Sequence, residues 1–269
     1  MTRVAWNDEL RAITFDFGNT LVALDRAALH GVVEVTAAAV ASRLGPFETE
    51  RFLAVWAEER ERQFREEVPR FREVDLADRF VRVLARLRGM EPPPAEARWD
   101  QARAAGLSEP TEIGWAVETY SRAFVEALPH SPLVGPLLAR LARRYRLAIL
   151  SNWPLAATID RYVDAAGWSS HLAAVVISQR VGTIKPHPAI FAAARTALGD
   201  PPAATILHVG DDWAADVVGA ARAGWRTAYL DARPADSPLP SSARDGSVVP
   251  DLELARLADL DVLLPPPER

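Results

Sequence analysis

The feature that most constrains the fold is one short predicted strand that a long helical block separates from every other predicted strand. Residues 11–17, RAITFDF, form a run of apolar and β-favouring residues that carries Asp16 near its end. A lone strand is not stable by itself, so this segment must join a sheet built from later parts of the chain. The helical block, residues 25–128, is therefore predicted to be an insertion between the first strand and the rest of the sheet.

The inserted block carries apolar residues at three- and four-residue spacing, which is typical of amphipathic helices. Its clearest helical stretches are LHGVVEVTAAAVASRL, ERFLAVWAEERERQF, DLADRFVRVLARLRG and EIGWAVETYSRAFVEAL. The segment EPPPAEARWDQARAAGL interrupts them, because its prolines end one helix and begin another. We therefore expect an all-helical unit that buries its own apolar faces as a bundle.

Strands return after His130 and alternate with helical stretches. The predicted strands lie in YRLAILSN, AAVVISQ, ATILHVGD and RTAYLD, and VVPDLELARLADLDVLL supplies a last short strand and helix. Alternating strands and helices predict an α/β fold with a parallel sheet covered on both faces. Residues 231–247, which are rich in proline, serine and aspartate, are predicted to be a mobile loop.

The composition narrows the class of protein. The 269 residues are 49% hydrophobic and 25% charged, which is typical of a soluble globular protein. A formal net charge of −5 argues against broad affinity for nucleic acid or anionic membranes. Cysteine is absent, which excludes disulfides and thiolate chemistry. The N-terminal stretch has no apolar core of signal-peptide length and no segment approaches a membrane span, so we expect a cytoplasmic protein.

Polar residues gather where the predicted strands end, which is the edge at which open parallel sheets bind ligands. These residues are Asp16, Ser151, Asn152, Lys185, Asp211, Asp212 and Asp216. Neighbouring carboxylates repel one another unless a cation lies between them, and an oxygen-only set suits Mg²⁺ together with substrate phosphate. The backbone amides of the turn at 17–20 can face an anion, Ser151 can donate to a phosphate oxygen, and Lys185, the only lysine in the chain, can neutralise charge there.

The chain resembles the haloacid dehalogenase-like hydrolase superfamily, in its phosphatase-type branch with a helical cap, across nearly its whole length. Four motifs of that family appear in order: DFGNT at 16–20, SN at 151–152, KP at 185–186 and GDDWAAD at 210–216. The resemblance implies a Rossmann-like core formed by residues 1–24 and 129–269, with residues 25–128 as an inserted all-helical cap domain.

The resemblance also implies a set of functional residues. Asp16 would be the nucleophile that forms an aspartyl-phosphate, with Ser151 and Lys185 completing the catalytic group. Mg²⁺ would be held by Asp16, the Gly18 carbonyl and Asp211, and Asp212 and Asp216 would bind it directly or at one remove. The substrate, a small phosphorylated metabolite, would contact Gly18, Asn19, Thr20, Ser151, Asn152 and Lys185.

One position departs from the family pattern. Phosphatases of this superfamily usually carry a second aspartate two residues after the nucleophile, where it protonates the leaving oxygen, and this chain has Gly18 there. General acid–base help is worth about 10²–10⁴-fold in rate. Three hypotheses therefore stay open: a phosphatase of slower turnover or easier leaving groups, a protein that binds a phosphorylated ligand or a partner with little turnover, and a metal-free 2-haloacid dehalogenase, which the GDDWAAD motif disfavours.

Several nearby residues have more than one interpretation. Asp25 and His30, at the predicted entrance to the cap, are candidates for the missing acid, although each also fits an ordinary helix start. Asp212 could simply cap the helix that begins at Trp213. His208 is predicted to be a core histidine and His187 a helix cap.

Overall fold

The computed structural model describes residues 5–92 and 106–264, and in these ranges six parallel strands form one sheet. The order across the sheet is β3-β2-β1-β4-β5-β6. The strands are β1 (Ala12–Phe15), β2 (Arg146–Ser151), β3 (Ala174–Ile177), β4 (Ile206–Gly210), β5 (Arg226–Leu230) and β6 (Leu252–Leu254). Strand β1 lies in the middle, with Phe15 beside Ile149 of β2 and Val209 of β4. The α/β fold class and the placement of the first strand in this sheet are confirmed.

In the described residues between β1 and Leu128, four α-helices form the insertion. They are α1 (Arg26–Leu44), α2 (Thr49–Glu67), α3 (Leu76–Leu87) and α4 (Pro110–Ala127). Trp56 stands at their centre, with ring centroids 5.8 Å from Phe52, 4.9 Å from Phe80 and 6.0 Å from Tyr120. The helical insertion is therefore present, while its bounds at 25 and 128 stay a prediction. Residues 93–105 of the proline-rich interruption lie outside the described residues.

Six further helices accompany the sheet in the described ranges. They are α5 (Val134–Leu141), α6 (Ala156–Ala165), α7 (Ser178–Val181), α8 (Pro188–Ala197), α9 (Gly219–Arg222) and α10 (Leu260–Leu263). Wide π-helical turns over Trp213–Val218 lead into α9. Successive strand residues face opposite sides of a sheet. In β2, Leu147 and Ile149 join the larger apolar core, while Ala148 and Leu150 join a second core with Phe191 of α8. Both faces of the sheet are therefore covered, as predicted.

The helical insertion and the sheet share the larger core. Phe124 of α4 lies with its ring centroid 5.3 Å from that of Trp153 and 6.3 Å from that of Tyr162 in α6. The Ser121 and Thr158 hydroxyls are 2.7 Å apart, and the Leu76 amide donates to the Pro154 carbonyl at 3.1 Å. These contacts fix the helices over the carboxyl ends of the strands.

Helix α1 is the one helix in the ranges 5–92 and 106–264 that is long and apolar enough to cross a bilayer, with a mean hydropathy of 1.2. The expectation that no segment approaches a membrane span was therefore wrong by length and composition. One helix of this length and hydropathy does not by itself indicate a membrane protein, because core helices of soluble proteins can be equally long and apolar. In the structure α1 packs against α4, with Val32, Ala37 and Val40 buried.

Candidate active site

Two of the predicted site residues, Ser151 and Lys185, converge on the carboxylate of a third, Asp16. Asp16 follows β1, Ser151 ends β2, and Lys185 lies in the loop between α7 and α8. The Ser151 hydroxyl donates to Asp16 Oδ1 at 2.9 Å, and Lys185 Nζ donates to the same oxygen at 2.7 Å. The described residues donate no hydrogen bond to Asp16 Oδ2. One oxygen of the buried Asp16 is thus held by the protein, and the other is left for a ligand.

Lys185 uses all three of its protons inside the site. Besides Asp16 it donates to Asp216 Oδ1 at 2.6 Å and to the Leu150 carbonyl at 2.9 Å, and only 3% of the residue is exposed. Burial alone would lower the pKa of Lys185, but the carboxylates of Asp16 and Asp216 raise it above its ordinary value. The side chain is therefore a fixed ammonium ion. Three donors in a compact head suit this position, which a planar guanidinium would not fit.

Asn152 lines the cavity and also holds the backbone of Lys185 in place. Its Nδ2 donates to the Lys185 carbonyl at 3.1 Å, and its Oδ1 accepts from the Lys185 amide at 2.7 Å. This two-way bond holds the lysine loop against the end of β2. Asn152 was predicted to bind substrate, and its role there stays a prediction, but its side-chain amide is committed to positioning the lysine.

Asp216 links the lysine to a buried histidine. Its Oδ1 also meets His208 Nε2 at 3.0 Å, and its Oδ2 accepts from the Asp212 amide at 2.9 Å. Burial would raise the pKa of Asp216, but Lys185 and His208 lower it below its ordinary value, so it is ionised. Burial lowers the pKa of His208, which lies in the core as predicted. The neutral ring therefore donates through Nε2, and its Nδ1 accepts from the Thr14 hydroxyl at 2.8 Å.

Gly210 makes room for this arrangement. A β-carbon at that position would lie 2.2 Å from Asp216 Cγ, which no side-chain atom tolerates. The glycine of the GDDWAAD motif is therefore required by the close approach of the Asp216 carboxylate to the end of β4.

Asp16, Asp211 and Asp216 form a buried acidic cluster whose ligand oxygens lie within 4.8 Å of one another. Burial, together with the charges of Asp16 and Asp216, raises the pKa of Asp211 to about 7, even though Arg233 opposes the shift. Burial and the charge of Asp216 also raise the pKa of Asp16, against the effect of Lys185. Such repulsion is relieved by a bound cation, and the set holds only carboxylate oxygens, so these residues fit Mg²⁺.

Asp212 is placed differently from the other acids. Its Oδ1 accepts from the Ala215 amide and the Ser242 hydroxyl, both at 2.8 Å, and its Oδ2 accepts from the Ser242 amide at 2.8 Å. It caps the helical turn that begins at Trp213, which is the structural interpretation that the sequence left open. Of the two acids that the sequence could not separate, Asp216 is the one in the cluster.

A cavity of about 360 Å³ lies between the carboxyl ends of the strands and the helical insertion. Its core side includes Asp16, Gly18, Ser151, Asn152, Lys185, Asp211 and Asp216. Its other side includes Arg60 and Phe64 of α2, Glu73, Arg79 of α3 and Tyr120 of α4. Sequence reasoning missed this second group, because helical periodicity marks apolar faces and does not tell which polar side chains meet a cleft.

Four predicted residues do not line the cavity. Asn19 donates to the Ser237 hydroxyl at 3.0 Å and accepts from the Leu24 amide at 3.2 Å, while Thr20 donates to Asp211 Oδ1 at 3.4 Å. Asp25 caps α1 through the Ala28 amide at 2.6 Å, and the exposed His30 lies 3.3 Å from Glu34. Asp25 and His30 thus match their ordinary helix-start interpretation. Neither borders the cavity as a replacement for the missing acid.

Residues 231–247, which we call the strap, were predicted to be a mobile loop but are tied to the site by side chains. Arg233 Nε donates to Asp211 Oδ2 at 2.6 Å, and Ser242 binds Asp212. Leu239 lies where a side chain at position 18 would go, since a β-carbon at Gly18 would be 2.6 Å from Leu239 Cδ1. The strap follows β5, so the strand-end rule that located Asp16 could have pointed to Arg233.

This sheet, with an aspartate, a serine, a lysine and paired aspartates at its carboxyl edge beneath a helical insertion, is the architecture of a hydrolase family. A model of that family, the haloacid dehalogenase-like hydrolases, matches residues 10–224, and the chain belongs to it. A curated relative, the pyrimidine 5′-nucleotidase YjjG of Escherichia coli (strain K12), is 28% identical over 153 residues, 57% of this chain. The match spans 64% of that relative's length.

Solved structures agree with the fold. A 2-haloacid dehalogenase from Pseudomonas syringae pv. Tomato DC3000 has a TM-score of 0.61 at 22% identity, covering 93% of this chain and 96% of its own. A HAD phosphatase from Thermococcus onnurineus has a TM-score of 0.57 at 19% identity, covering 94% and 96%. The HAD-hydrolase YfnB of Bacillus subtilis, solved with magnesium, has a TM-score of 0.56 at 19% identity, covering 96% and 99%. At these identities the likeness shows the fold alone.

Proposed function

We propose that this protein is a Mg²⁺-dependent hydrolase of a phosphate monoester that works through an aspartyl-phosphate on Asp16. The observation that carries the proposal is the contact set of Asp16: Ser151 and Lys185 on one oxygen, no protein donor in the described residues on the other, and Asp211 close by. The similarity to the pyrimidine 5′-nucleotidase of Escherichia coli supports hydrolysis of phosphate esters.

In the first step, a carboxylate oxygen of Asp16 attacks phosphorus, and the bond between phosphorus and the leaving oxygen breaks. The leaving oxygen departs with the bonding electrons and takes its proton from water. Lys185 and Ser151 hold the carboxylate in line, and positioning with charge neutralisation lowers the barrier. Bound by Asp16, Asp211 and the Gly18 carbonyl, with Asp216 beside them, Mg²⁺ would neutralise charge on the carboxylates and the phosphoryl oxygens.

In the second step, water attacks the phosphorus of the aspartyl-phosphate. The bond between phosphorus and the Asp16 oxygen breaks, inorganic phosphate leaves, and the carboxylate is restored. Gly18 supplies no proton to the leaving oxygen in the first step and removes none from water in the second. Substrates with leaving groups that need little protonation, such as aryl or acyl phosphates, should therefore be hydrolysed fastest.

The test is hydrolysis of phenyl phosphate by the purified protein with Mg²⁺, with EDTA, and with Mg²⁺ restored after EDTA. We expect activity that depends on the metal and that Asp16→Asn abolishes. Activity that persists in EDTA would reject the metal requirement. Release of chloride from 2-chloropropionate in EDTA would instead identify a 2-haloacid dehalogenase.

A second candidate function, binding a phosphorylated ligand or partner with little turnover, is favoured by the strap. Leu239 fills the space beside Gly18, and Arg233 occupies an oxygen of Asp211. Calorimetry with inorganic phosphate and Mg²⁺ separates the two functions. Binding without hydrolysis of any phosphate ester would support this second candidate, and metal-dependent turnover would exclude it.

A further inference from the structure

Two arginines face the cavity from the helical insertion without a carboxylate partner. Arg79 of α3 is only 5% exposed, and its one hydrogen-bond acceptor among the described residues is Gln63 Oε1, 2.8 Å from its Nε. Its guanidinium carbon lies 5.1 Å from the ring centroid of Trp56. No ion pair to Arg79 occurs in the described part of the chain. A cation buried in this way is costly unless something supplies the opposite charge.

Arg60 of α2 extends the same wall. Its Nη2 donates to the Pro238 carbonyl of the strap at 3.2 Å, and its guanidinium carbon lies 5.0 Å from the Phe64 ring centroid. No carboxylate among residues 5–92 and 106–264 pairs with it. Burial lowers the pKa of Arg79 to about 10, and the charge of Arg60 adds to this. The nearby Tyr120 hydroxyl and the more distant charges of Glu73 and Glu59, neither of which forms an ion pair with Arg79, oppose the shift without cancelling it. Two cations thus share one wall.

Three other arginines of α2 and α3 do form ion pairs, all with glutamates of α2. Arg62 pairs with Glu59 at 2.8 Å, and Arg82 pairs with the same glutamate at 2.9 Å. Arg86 pairs with Glu58 and Glu59. None of these three borders the cavity. These three arginines, which turn away from the cavity, are neutralised by the protein, whereas Arg60 and Arg79, which border it, are not. Within the described residues, Arg51 and Arg65 of α2 also lack an ion pair, but they are exposed to solvent.

The single carboxyl on the cap side of the described cavity wall is Glu73. Its oxygens accept hydrogen bonds from the Ser178 hydroxyl and the Val74 amide, and it forms no ion pair with Arg79 or Arg60. It is therefore committed to the junction between the insertion and the sheet. The wall carries two positive charges opposite the acidic cluster of Asp16, Asp211 and Asp216.

We infer that the substrate carries a second anionic group, a carboxylate or a second phosphate, which Arg79 and Arg60 bind while its phosphate monoester lies at Asp16. This inference rests on the proposed phosphatase function. A cavity of about 360 Å³ is near the lower end of the range for small-molecule sites, so one compact molecule bridges the two walls. Guanidinium groups bind carboxylates and phosphates through paired, charge-assisted hydrogen bonds.

The first test compares esters that differ only in the second group. Ethyl phosphate has none, 2-phosphoglycolate has a carboxylate, and ethylene glycol bisphosphate has a phosphate. With Mg²⁺ present, we expect kcat/KM for at least one doubly anionic ester to exceed that for ethyl phosphate by about 10- to 100-fold, as a charged hydrogen-bonding pair provides. The ester with the higher kcat/KM, the carboxylate or the bisphosphate, identifies the second anionic group. Equal values for all three esters, or a preference for uridine 5′-monophosphate, which has no second anionic group, would overturn the inference.

The second test uses variants. Arg79→Gln should remove most of that gain, lowering kcat/KM for the doubly anionic esters at least about tenfold more than for phenyl phosphate, whereas Arg79→Lys, which keeps the charge, should retain part of the gain. If Arg79→Gln does not fold, Arg60→Gln takes its place, because Arg60 is less buried than Arg79. This variant should also reduce the gain that the second anionic group brings. Arg62→Gln, on the same helix as Arg60 but ion-paired away from the cavity, is the control and should leave all ratios unchanged. An equal loss on phenyl phosphate and on the doubly anionic esters would also overturn the inference.

The two levels of proposal fail in different ways. If no ester is hydrolysed with Mg²⁺, the proposed function is wrong. If phenyl phosphate is hydrolysed in a metal-dependent manner but a second anionic group brings no gain, the proposed function stands and the assignment of Arg79 and Arg60 is wrong.

Discussion

Replacing Gly18 by alanine measures how tightly the strap packs on the turn that carries the nucleophile. The added β-carbon would lie 2.6 Å from Leu239 Cδ1 and 3.0 Å from Leu24 Cδ1, whereas carbon atoms in contact prefer about 3.5–4.0 Å. Both contacted atoms are the far ends of leucine side chains, which can shift, so the overpacking should cost about 1 kcal/mol, the low end of its usual range. The reduced freedom of the unfolded chain returns about 0.4–1 kcal/mol. We expect Gly18→Ala to lower the free energy of unfolding by no more than about 0.6 kcal/mol in the wild-type background.

The assay is urea unfolding of the wild type, Gly18→Ala, Leu239→Ala and the double variant. With Leu239 shortened, most of the overlap is gone, so Gly18→Ala should be neutral or slightly stabilising in that background. The coupling energy between the two sites should therefore be about 1 kcal/mol. Gly31→Ala is the control, because its β-carbon would meet no atom within 4 Å in α1, and it should stabilise both backgrounds equally. Effects of Gly18→Ala and Leu239→Ala that add within about 0.5 kcal/mol would refute the packing of the strap on the nucleophile turn.

Three further predictions concern the same site. Gly18→Asp should raise turnover of ethyl phosphate more than of phenyl phosphate, and only once Leu239→Ala has made room; equal gains on both esters would show that another group already supplies the proton. Arg233→Gln should tighten Mg²⁺ binding by about three- to tenfold in calorimetry, because the guanidinium 2.6 Å from Asp211 Oδ2 competes with the metal; unchanged or weaker binding would count against this. Burial raises the pKa of Glu73 from 4.5 to about 7, so the folded state holds this proton more tightly and stability falls as pH rises from about 4.5 to 7. Glu73→Gln should therefore stabilise the protein by up to about 3 kcal/mol at pH 8 and have little effect at pH 4, and an equal effect at both pH values would contradict the shift.

The strand-end residues were predictable because a parallel sheet gives every strand the same direction. Once residues 11–17 had to join the later strands, Asp16, Ser151 and Asp211 had to reach one edge, and the structure brings their side chains together there. Lys185 was predicted to be functional because it is the only lysine in the sequence. Its three donated hydrogen bonds give a physical reason for an ammonium group at that position. The family assignment followed from the order of these motifs.

The cap side of the cavity could not be predicted in the same way. Arg60 and Arg79 have the same helical spacing as the ion-paired arginines near them, and only the packing of α2, α3 and α4 over the sheet decides which of them meet the cleft. The strap was missed for a related reason. Its contacts join residues far apart in the chain, such as Arg233 with Asp211 and Leu239 with Gly18. A proline- and serine-rich segment has no periodic pattern from which such contacts could be predicted.

The measurement that tests the central claim most directly is trapping of phosphorylated Asp16. The protein is mixed with phenyl phosphate and Mg²⁺, quenched in acid within one turnover, digested, and analysed by mass spectrometry. Because Gly18 gives no help to the attacking water, the second step should be slow and the adduct should accumulate on the peptide that contains Asp16, but not in EDTA and not in Asp16→Asn. Metal-dependent turnover with the phosphoryl group on another residue, or undiminished in Asp16→Asn, would contradict the account.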